Sequence, residues 1–414
     1  MSIAEVYDIT VTRRPLVPPT PPRAPDNYEN YTRTPAGLRV LRPMLGEGLL
    51  IAEGRAWKHQ RRTLAPAFTP RAVTTLEPYM IAAIDETIAK LKATGGGAVD
   101  LREAMQRMTL EIAARTMFSF GMDRHGAALR DFVMEYGETL ARPHMLDLLL
   151  PLNWPTPQDF RRARFRKRWT AFVGKLMAER RAAGKDDNAP ARDLFDLMGA
   201  AHDPETGEAF TDAQLGDQVA TMILAGHETT ATALFWALYL LALDPATQEQ
   251  LAAEVRGVAT SGALEAAGAL DIERLKFTRA VIDETMRLYP PAFLIARAAA
   301  GPDTIAGRSV RKGDVILIAP WLLHRHEKLW REPNAFVPAR FMTGAPPDRF
   351  AYLPFGVGPR ICIGAHFALV EATLALAKII GAFRVALADK EPVIPIGVVT
   401  TQPNRSPVFT IKPR

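Results

Sequence analysis

The sequence Phe355-Gly-Val-Gly-Pro-Arg-Ile-Cys-Ile-Gly364 surrounds Cys362, which is the only cysteine among the 414 residues of the chain. Its glycines allow the backbone to approach a bound group closely. Arg360 places a positive charge two residues before the sulfur. A helix is predicted to begin just after Cys362, and its positive end would face the sulfur. Both features favour the thiolate form of Cys362.

Two other interpretations of this loop have to be weighed. Gly356-x-Gly358 begins like a dinucleotide-binding fingerprint, but Ile361 stands where the third glycine belongs, and no β-α-β pattern surrounds it. A purely structural loop is the second alternative. A thiolate held in a tight glycine loop is, however, what an axial ligand of haem iron requires, and the backbone N–H groups of the loop would tune its electron donation.

The same loop carries a resemblance to a known family. Phe355-x-x-Gly358-x-Arg360-x-Cys362-x-Gly364 matches every defined position of the haem-binding signature of cytochrome P450 monooxygenases, and the chain resembles that family over residues 38–414. The resemblance implies the cytochrome P450 fold, mainly α with a small β region, and haem b (iron protoporphyrin IX) as the cofactor. It also implies that Cys362 binds the haem iron. The loop residues expected to contact the haem are Phe355, Gly356, Arg360 and Gly364.

A second motif, Ala225-Gly-His-Glu-Thr-Thr230, lies within a predicted helix over residues 211–243. It resembles the zinc-binding pattern His-Glu-x-x-His, but Ala231 replaces the second histidine, which rejects zinc. An acid buried in an apolar helix is costly unless it has a purpose, although a polar face of a helix is the simpler alternative. The resemblance implies that Ala225 and Gly226 flank bound oxygen, and that Glu228 and Thr229 form the acid–alcohol pair that relays protons to it.

Two weaker motifs gain their meaning from the resemblance. Glu-x-x-Arg occurs by chance in many helices, and a surface ion pair is the ordinary interpretation. In the resembled family this pair completes a buried structural network behind the haem, here formed by Glu284, Arg287 and Arg340. A Trp-x-x-x-Arg pair shares one helix face and alone would indicate a core tryptophan beside a solvated arginine. The residues expected to bind the haem propionates are Trp57, Arg61, Arg297 and Arg360.

The remaining sequence gives the organisation of the chain. Residues 1–37 are rich in proline and are predicted to form an extended lead before a single haem-thiolate monooxygenase domain at 38–414. Only 56 residues precede Trp57, so the N-terminal part of the domain is expected to be shortened. Further helices are predicted at 246–257, 271–288 and 364–380, with short β runs at 304–305, 310 and 315–318. By family analogy the substrate pocket contains Leu224, Phe293, Leu294, Ile295, Thr400 and Thr401.

Composition limits the partners. The formal net charge is +6, and 48% of the residues are hydrophobic, which are ordinary values for a globular protein that needs no nucleic acid. One cysteine permits neither an intramolecular disulfide nor a four-cysteine iron–sulfur cluster, which suits a cytoplasmic protein that receives electrons from another protein. The basic run at residues 161–168 is interpreted as a solvated helix face. No targeting segment or membrane anchor is recognisable in the sequence.

The resemblance implies a monooxygenase that inserts one oxygen atom from O2 into a small hydrophobic substrate. The expected electron donor is a ferredoxin or flavodoxin with its reductase, and it would dock on a basic surface near Lys58, Arg62 and Arg360. Two alternatives stay open. One is a haem-thiolate enzyme driven by peroxide, and the other is a haem-binding protein without catalytic activity.

Overall fold

The computed structural model describes residues 25–121, 125–142, 144–184, 191–259, 272–342, 350–389 and 391–414. Most of the described chain is helical, and short antiparallel strands make up the remainder of its regular structure. Residues 1–24 of the predicted lead lie outside the described residues. The rest of that lead contains a 3-10 helix at Pro25–Asn30, a strand at Tyr31–Thr32 and the start of the first α-helix.

The α-helices of the described residues are α1 (Pro35–Leu45), α2 (Gly54–Leu64), α3 (Pro70–Ala93), α4 (Leu101–Phe118), α5 (Gly126–Glu135), α6 (Met145–Leu149), α7 (Pro157–Ala182), α8 (Leu194–Gly199), α9 (Asp212–Leu243), α10 (Pro245–Val258), α11 (Lys276–Leu288), α12 (Pro320–Leu323) and α13 (Ala365–Ala382). The strands are β1 (Tyr31–Thr32), β2 (Ala98–Val99), β3 (Ile295–Ala299), β4 (Asp303–Ile305), β5 (Arg308–Val310), β6 (Val315–Ile318), β7 (Phe383–Leu387), β8 (Pro395–Gly397), β9 (Thr401–Pro403) and β10 (Phe409–Pro413). Two three-stranded sheets have the orders β1-β3-β6 and β2-β10-β7, and β4-β5 and β8-β9 form separate pairs.

The central helix α9 confirms the prediction for residues 211–243. Thr211 caps its first turn by accepting a hydrogen bond from the Gln214 N–H, and the Gln214 side chain accepts one from the Thr211 N–H. The helix ends at Leu243, with Asp244 as its C-cap residue before Pro245. It packs against α4, α11 and α13, so it crosses the middle of the molecule. Its length therefore follows from its position, with other helices burying it on several sides.

The last long helix, α13, begins directly after the Cys362 loop, as predicted, with Gly364 as its N-cap residue. By length and composition alone it is the one helix among the described residues that is apolar enough to cross a membrane, and 61% of it is buried inside the molecule. Its contacts with α3, α9, α10 and α11 explain its hydrophobicity. The start of this helix fixes the Cys362 loop to the most deeply buried part of the fold.

The other predicted elements are found close to their expected places. Helices α10 and α11 cover the regions predicted at 246–257 and 271–288, although α11 begins at Lys276, after a 3-10 turn. The short β runs become β4, β5 and β6. Strand β7 was not predicted. It pairs with β10 in the register Phe383↔Pro413, and such a partner 30 positions along the chain leaves no local pattern.

The solvated-face interpretation of the basic run at 161–168 is wrong for Arg162. This side chain is buried and donates two hydrogen bonds of 2.8 Å to the Asp147 carboxylate, which is also buried. The pairing replaces the hydration that both charges lose. Phe165 and Trp169 are buried as well, which confirms that they form the inner side of α7.

Candidate active site

The Cys362 loop is held by its own backbone. Gly356 and Gly358 have φ angles of +75° and +76°, a conformation that favours glycine, and a Cβ atom at either would meet open space within 4 Å. The Cys362 N–H donates to the Phe355 carbonyl at 2.9 Å, and the Gly364 N–H donates to the sulfur. These bonds fix the direction of the Cys362 side chain.

The Cys362 sulfur combines access to solvent with a dense surrounding chain. The side chain is accessible to solvent, yet the surrounding chain is dense enough that burial raises the pKa of the thiol. The Gly364 N–H and the Arg61 guanidinium act in the opposite direction and lower this pKa. From the sequence, Arg360 is the residue predicted to provide that charge. The structure corrects this, because Arg61 has this influence and Arg360 is paired elsewhere.

One face of α9 carries accessible residues near the midpoint of the helix. Ala225 is exposed and Thr229 is half-buried, whereas Leu224 and Thr230 are buried. A Cβ atom added at Gly226 would meet nothing within 4 Å. The Thr229 hydroxyl donates to the Ala225 carbonyl at 2.7 Å, as the sequence predicts. Small and accessible residues in the centre of an otherwise buried helix leave room for a flat ligand.

Glu228 lies next to Thr229 in the chain but is held by different residues. Its Oε1 atom accepts hydrogen bonds of 3.1 Å from the Thr400 hydroxyl and from the Gln402 amide. Burial raises the pKa of the Glu228 carboxyl, while these two donors and the charge of Arg102 lower it. Sequence reasoning missed Gln402 and Arg102, since neither belongs to a recognisable motif.

A cluster of three arginines, Arg33, Arg297 and Arg360, surrounds Glu53. The Glu53 carboxylate pairs with Arg360 and accepts a 2.8 Å hydrogen bond from the Arg33 backbone N–H. Burial, together with the positive charges of Arg297 and Arg360, lowers the pKa of Arg33 to about 9. The Nε atom of Arg33 is buried without a hydrogen-bond partner. The cluster therefore has positive charge and a donor left for an anion.

Arg33 was not predicted from the sequence. Strand β1 pairs with β3 in the register Thr32↔Ala298, which brings Arg33 beside Arg297 although 264 residues separate them. The third arginine, Arg360, donates to the Ala52 carbonyl at 2.9 Å and lies over the Trp57 ring at 4.5 Å. Two of the predicted propionate ligands, Arg297 and Arg360, thus lie in one cluster above Trp57, while Arg61 lies nearer the sulfur.

The predicted network of Glu284, Arg287 and Arg340 is present, with Glu284 and Arg287 buried and Arg340 partly exposed. Arg287 donates two hydrogen bonds to the Glu284 carboxylate, at 2.7 and 2.9 Å, and Arg340 donates another at 3.1 Å. Arg287 also donates to the carbonyls of His324, Pro333 and Ala335. Because the segments at His324 and at 333–335 both depend on one guanidinium, this network fixes the chain that leads into the Cys362 loop.

The predicted pocket residues come from neighbouring segments. The Thr401 hydroxyl donates to the Pro290 carbonyl at 2.6 Å, and Gly397 lies directly against the Phe293 ring. Leu294 is exposed and Ile295 begins β3. Leu224, Thr400 and Thr401 are buried. The structure thus places the β8–β9 pair beside the segment before β3, and their role in substrate binding stays a prediction.

These features fit haem. An accessible sulfur would bind the iron, small residues on α9 would leave space for the flat ring, and the arginine cluster would pair with the two propionates. The unpartnered Nε of Arg33 is the most direct sign of an anionic ligand, because a buried guanidinium donor is costly when it is left unpaired.

Comparison with known proteins supports the same family. The family model for cytochrome P450 matches residues 26–408. Cyclooctat-9-en-7-ol 5-monooxygenase of Streptomyces melanosporofaciens is 33% identical over 83% of this chain and 73% of its own length. Cytokinin hydroxylase of Arabidopsis thaliana is 31% identical over 89% of this chain and 72% of its own length. The crystal structure of the cytochrome P450DA haem domain has a TM-score of 0.79 and 26% identity, and the match covers 94% of this chain and 85% of that one.

The expectations for the cofactor and the reaction class are thereby confirmed. The protein is an oxidoreductase that uses haem b and O2, requires electrons from a redox partner, and acts on an organic substrate. One fold can host many activities, so the role of each site residue depends on its own geometry and chemistry. On the breadth of the family match and the agreement in fold, the chain belongs to the cytochrome P450 family.

Proposed function

We propose that Cys362 is the axial ligand of the haem iron and that Glu228 and Thr229 deliver protons on the opposite side of the haem. The accessible Cys362 sulfur in a glycine loop is the observation that carries this proposal. The haem, when bound, supplies the activation of O2 and the insertion of one oxygen atom into the substrate. All the other roles belong to side chains of this protein.

Each side chain of the site has a distinct task in this proposal. The Gly364 N–H and the Arg61 charge favour the thiolate of Cys362 and partly offset the rise in its pKa that burial causes, and the haem iron, when bound, would complete the loss of the proton. Arg33, Arg297 and Arg360 anchor the propionates and so set the position of the ring. Thr229 holds a proton at its hydroxyl, and Glu228, whose pKa burial raises, supplies the next one.

The proposed substrate is a small hydrophobic molecule. The residues assigned to the pocket are mostly apolar, with Thr400 and Thr401 as the polar exceptions. The similar Streptomyces protein is named for action on cyclooctat-9-en-7-ol. Hydrophobic ring compounds are therefore the first molecules to screen. Binding is measured as a shift of the haem absorption spectrum when a compound is added.

The proposed electron donor is a ferredoxin or flavodoxin in the cytoplasm, and it docks on the outer face of α2. Arg55, Lys58 and Arg62 follow one another at spacings of three and four residues on this helix. Lys58 is paired with Glu29, and Arg62 with Asp203. Arg360, which the sequence also predicts for this surface, is only 12% exposed and paired with Glu53, so it does not belong to it.

The first test is the carbon monoxide difference spectrum of the reduced protein. The wild type is expected to show the strongly red-shifted Soret band of a thiolate-ligated haem, and Cys362→Ser is expected to lose it. Serine preserves the size of the side chain, so the haem content of the variant can be compared directly. A wild-type band at the position of ordinary haem proteins would contradict the assignment of Cys362.

A second test concerns the electron donor and the two alternative functions. Arg55→Glu is expected to slow reduction by a ferredoxin or flavodoxin at low salt about tenfold, and the difference should shrink as salt screens the charges. Arg71→Glu, an exposed site on α3, is the control.

Product formation with peroxide and no donor would favour the peroxide-driven alternative. Haem binding without turnover under either condition would favour the non-catalytic one.

A further inference from the structure

We propose that Thr232 and Thr400 form a hydroxyl chain that carries protons to Glu228 from a small cavity beside α4, with Gln402 and Arg102 as positioning residues. This inference rests on the proposed role of Glu228 and adds the route by which that acid regains its proton. The polar side chains around Glu228 come from α9, α4 and the β8–β9 pair. Together they lead from the cavity to the Glu228 carboxyl.

The hydroxyl chain is continuous in its distances. The Thr232 and Thr400 hydroxyl oxygens are 3.4 Å apart, and either can be the donor. The Thr400 hydroxyl donates to the Glu228 Oε1 atom at 3.1 Å. Both threonines are buried, at 4% and 3% exposure, so bulk water does not replace either link. A threonine hydroxyl both donates and accepts, which a chain of proton transfers requires.

Gln402 holds the three oxygens of this chain together. Its Nε2 atom lies 2.6 Å from the Thr400 hydroxyl oxygen, 3.1 Å from Glu228 Oε1 and 3.2 Å from the Thr232 hydroxyl oxygen, and its two N–H groups are shared among these three acceptors. An amide could be turned the other way, with its oxygen toward the chain. Arg102 prevents this, since its Nη2 atom donates to the Gln402 Oε1 atom at 3.2 Å and an inverted amide would present a donor to a donor. Arg102 thus acts through Gln402.

The chain begins at a cavity. Arg102, Gln106, Thr232 and Gln402 line a small cavity together with Ala231, Phe235 and Pro403. Arg102 and Gln106 are half-exposed on α4, so the cavity lies near the surface. The Nε atom of Arg102 is buried and has no hydrogen-bond partner. The cavity has a volume of about 10 Å³, room for a single water molecule, and that water would have the unpartnered Arg102 Nε atom and the Thr232 hydroxyl as polar neighbours. It would be the first proton donor of the chain.

The proton transfer is balanced at each atom. After Glu228 has released its proton toward Thr229, the O–H bond of Thr400 breaks as a new O–H bond forms on Glu228. Thr400 takes the proton of Thr232, and Thr232 takes one from the cavity water, which solvent restores. One proton moves inward, and no electron is transferred. The charged and titratable groups of the described residues that influence Glu228 are Arg102 and Tyr136.

The experiment compares four variants of the haem-loaded protein with the wild type: Thr232→Val, Gln402→Met, Glu228→Gln and the control Thr373→Val. Thr373 is a buried threonine on α13 whose hydroxyl has no hydrogen-bond partner. Haem content and the unfolding midpoint are measured first. The carboxyl band of Glu228, identified by infrared difference against Glu228→Gln, is then titrated, and turnover is compared in H2O and D2O.

The expected results differ among the variants. Thr232→Val should slow turnover by about 100-fold, the order of magnitude for loss of a proton-transfer group, and should increase the solvent isotope effect. Gln402→Met should slow turnover too, and in addition it should raise the pKa of the Glu228 carboxyl, because the carboxyl loses one hydrogen-bond donor. Thr373→Val should change neither quantity.

Two results would overturn the proposal in distinguishable ways. If Glu228→Gln is slow while Thr232→Val behaves like Thr373→Val, Glu228 keeps its role but the hydroxyl chain is wrong. If Glu228→Gln turns over as fast as the wild type with the same isotope effect, the proposed role of Glu228 itself fails, and the chain fails with it.

Discussion

Arg33 shows how a single residue can be the strongest sign of a ligand. Its side chain lies with two other guanidinium groups around Glu53, and its Nε atom is buried without a partner. Burial removes the hydration of the Arg33 guanidinium, and the like charges of Arg297 and Arg360 repel it, so the pKa of Arg33 falls to about 9. This arrangement is unfavourable by itself and becomes favourable when two carboxylates are added. The cluster is therefore built for the bound state.

This charge balance predicts opposite effects of Arg33→Gln on two properties. Haem binding should weaken by about 10- to 100-fold, since a hydrogen bond to a charged group contributes about 1.5–3 kcal/mol. The stability of the haem-free protein should not fall, because the substitution removes a repelling charge. Haem transfer to an apo-globin measures the first effect, and urea unfolding of the haem-free protein measures the second.

Arg71→Gln on the exposed side of α3 is the control for the general loss of one positive charge, and it should leave haem binding unchanged. Equal haem affinity in Arg33→Gln and the wild type would show that the propionates do not reach this residue.

At the scale of elements, Glu284, Arg287 and Arg340 join α11 to the segments before the Cys362 loop. Arg287 is completely buried and donates both to Glu284 and to three backbone carbonyls, and Val337 N–H donates to the same carboxylate at 2.8 Å. Trp330 lies beneath the guanidinium at 5.1 Å. No water can replace these bonds, so the elements depend on the network for their positions.

Breaking this network should be far more costly than breaking a surface pair. Arg287→Met is expected to reduce the free energy of unfolding by about 3–5 kcal/mol, because Glu284 is left buried without its main partner. Lys90→Met, which removes the exposed pair with Glu86, should change it by less than about 0.5 kcal/mol. Urea denaturation compares the two.

Arg287→Lys keeps the charge but cannot make the paired contact with the carboxylate, so its stability should lie between those of the wild type and Arg287→Met. A loss below about 1 kcal/mol in Arg287→Met would mean that the network contributes little to the fold.

The same scale shows what the sequence can predict. Helix α9 and the Cys362 loop follow from local signals, namely a capping box, a proline and glycines at positive φ. The long-range contacts that these elements make cannot be predicted from such local signals. Thr400 and Gln402 reach Glu228 across more than 170 residues, and Arg33 reaches Arg297 only through the β1–β3 register. Residues that are so far apart in the chain share no periodic pattern or motif spacing in the sequence that would reveal their contact.

At the scale of the whole molecule, burial has set the protonation of several groups. Burial lowers the pKa of His227 to about 4 and that of His324 to about 3, so both are neutral in the folded protein. The Nε2 atom of His324 accepts the Leu353 N–H at 2.8 Å, which a protonated ring could not do. In contrast, burial raises the pKa of Glu371 well above its usual value, so this acid is also neutral.

These groups predict how stability depends on acidity. Below pH 6.5 the unfolded chain takes up a proton at each histidine that the folded protein excludes, so stability falls by about 1.4 kcal/mol per histidine and pH unit. For His324 the loss continues toward pH 3. Glu371 opposes this loss of stability above about pH 4.5, where only the unfolded chain releases the Glu371 proton.

His324→Gln, whose amide oxygen can still accept the Leu353 N–H, should therefore lose stability less steeply than the wild type between pH 6 and 4. Glu371→Gln should lose stability more steeply. Urea unfolding at several pH values measures these slopes, and parallel slopes in His324→Gln and the wild type would mean that His324 is already protonated in the folded protein.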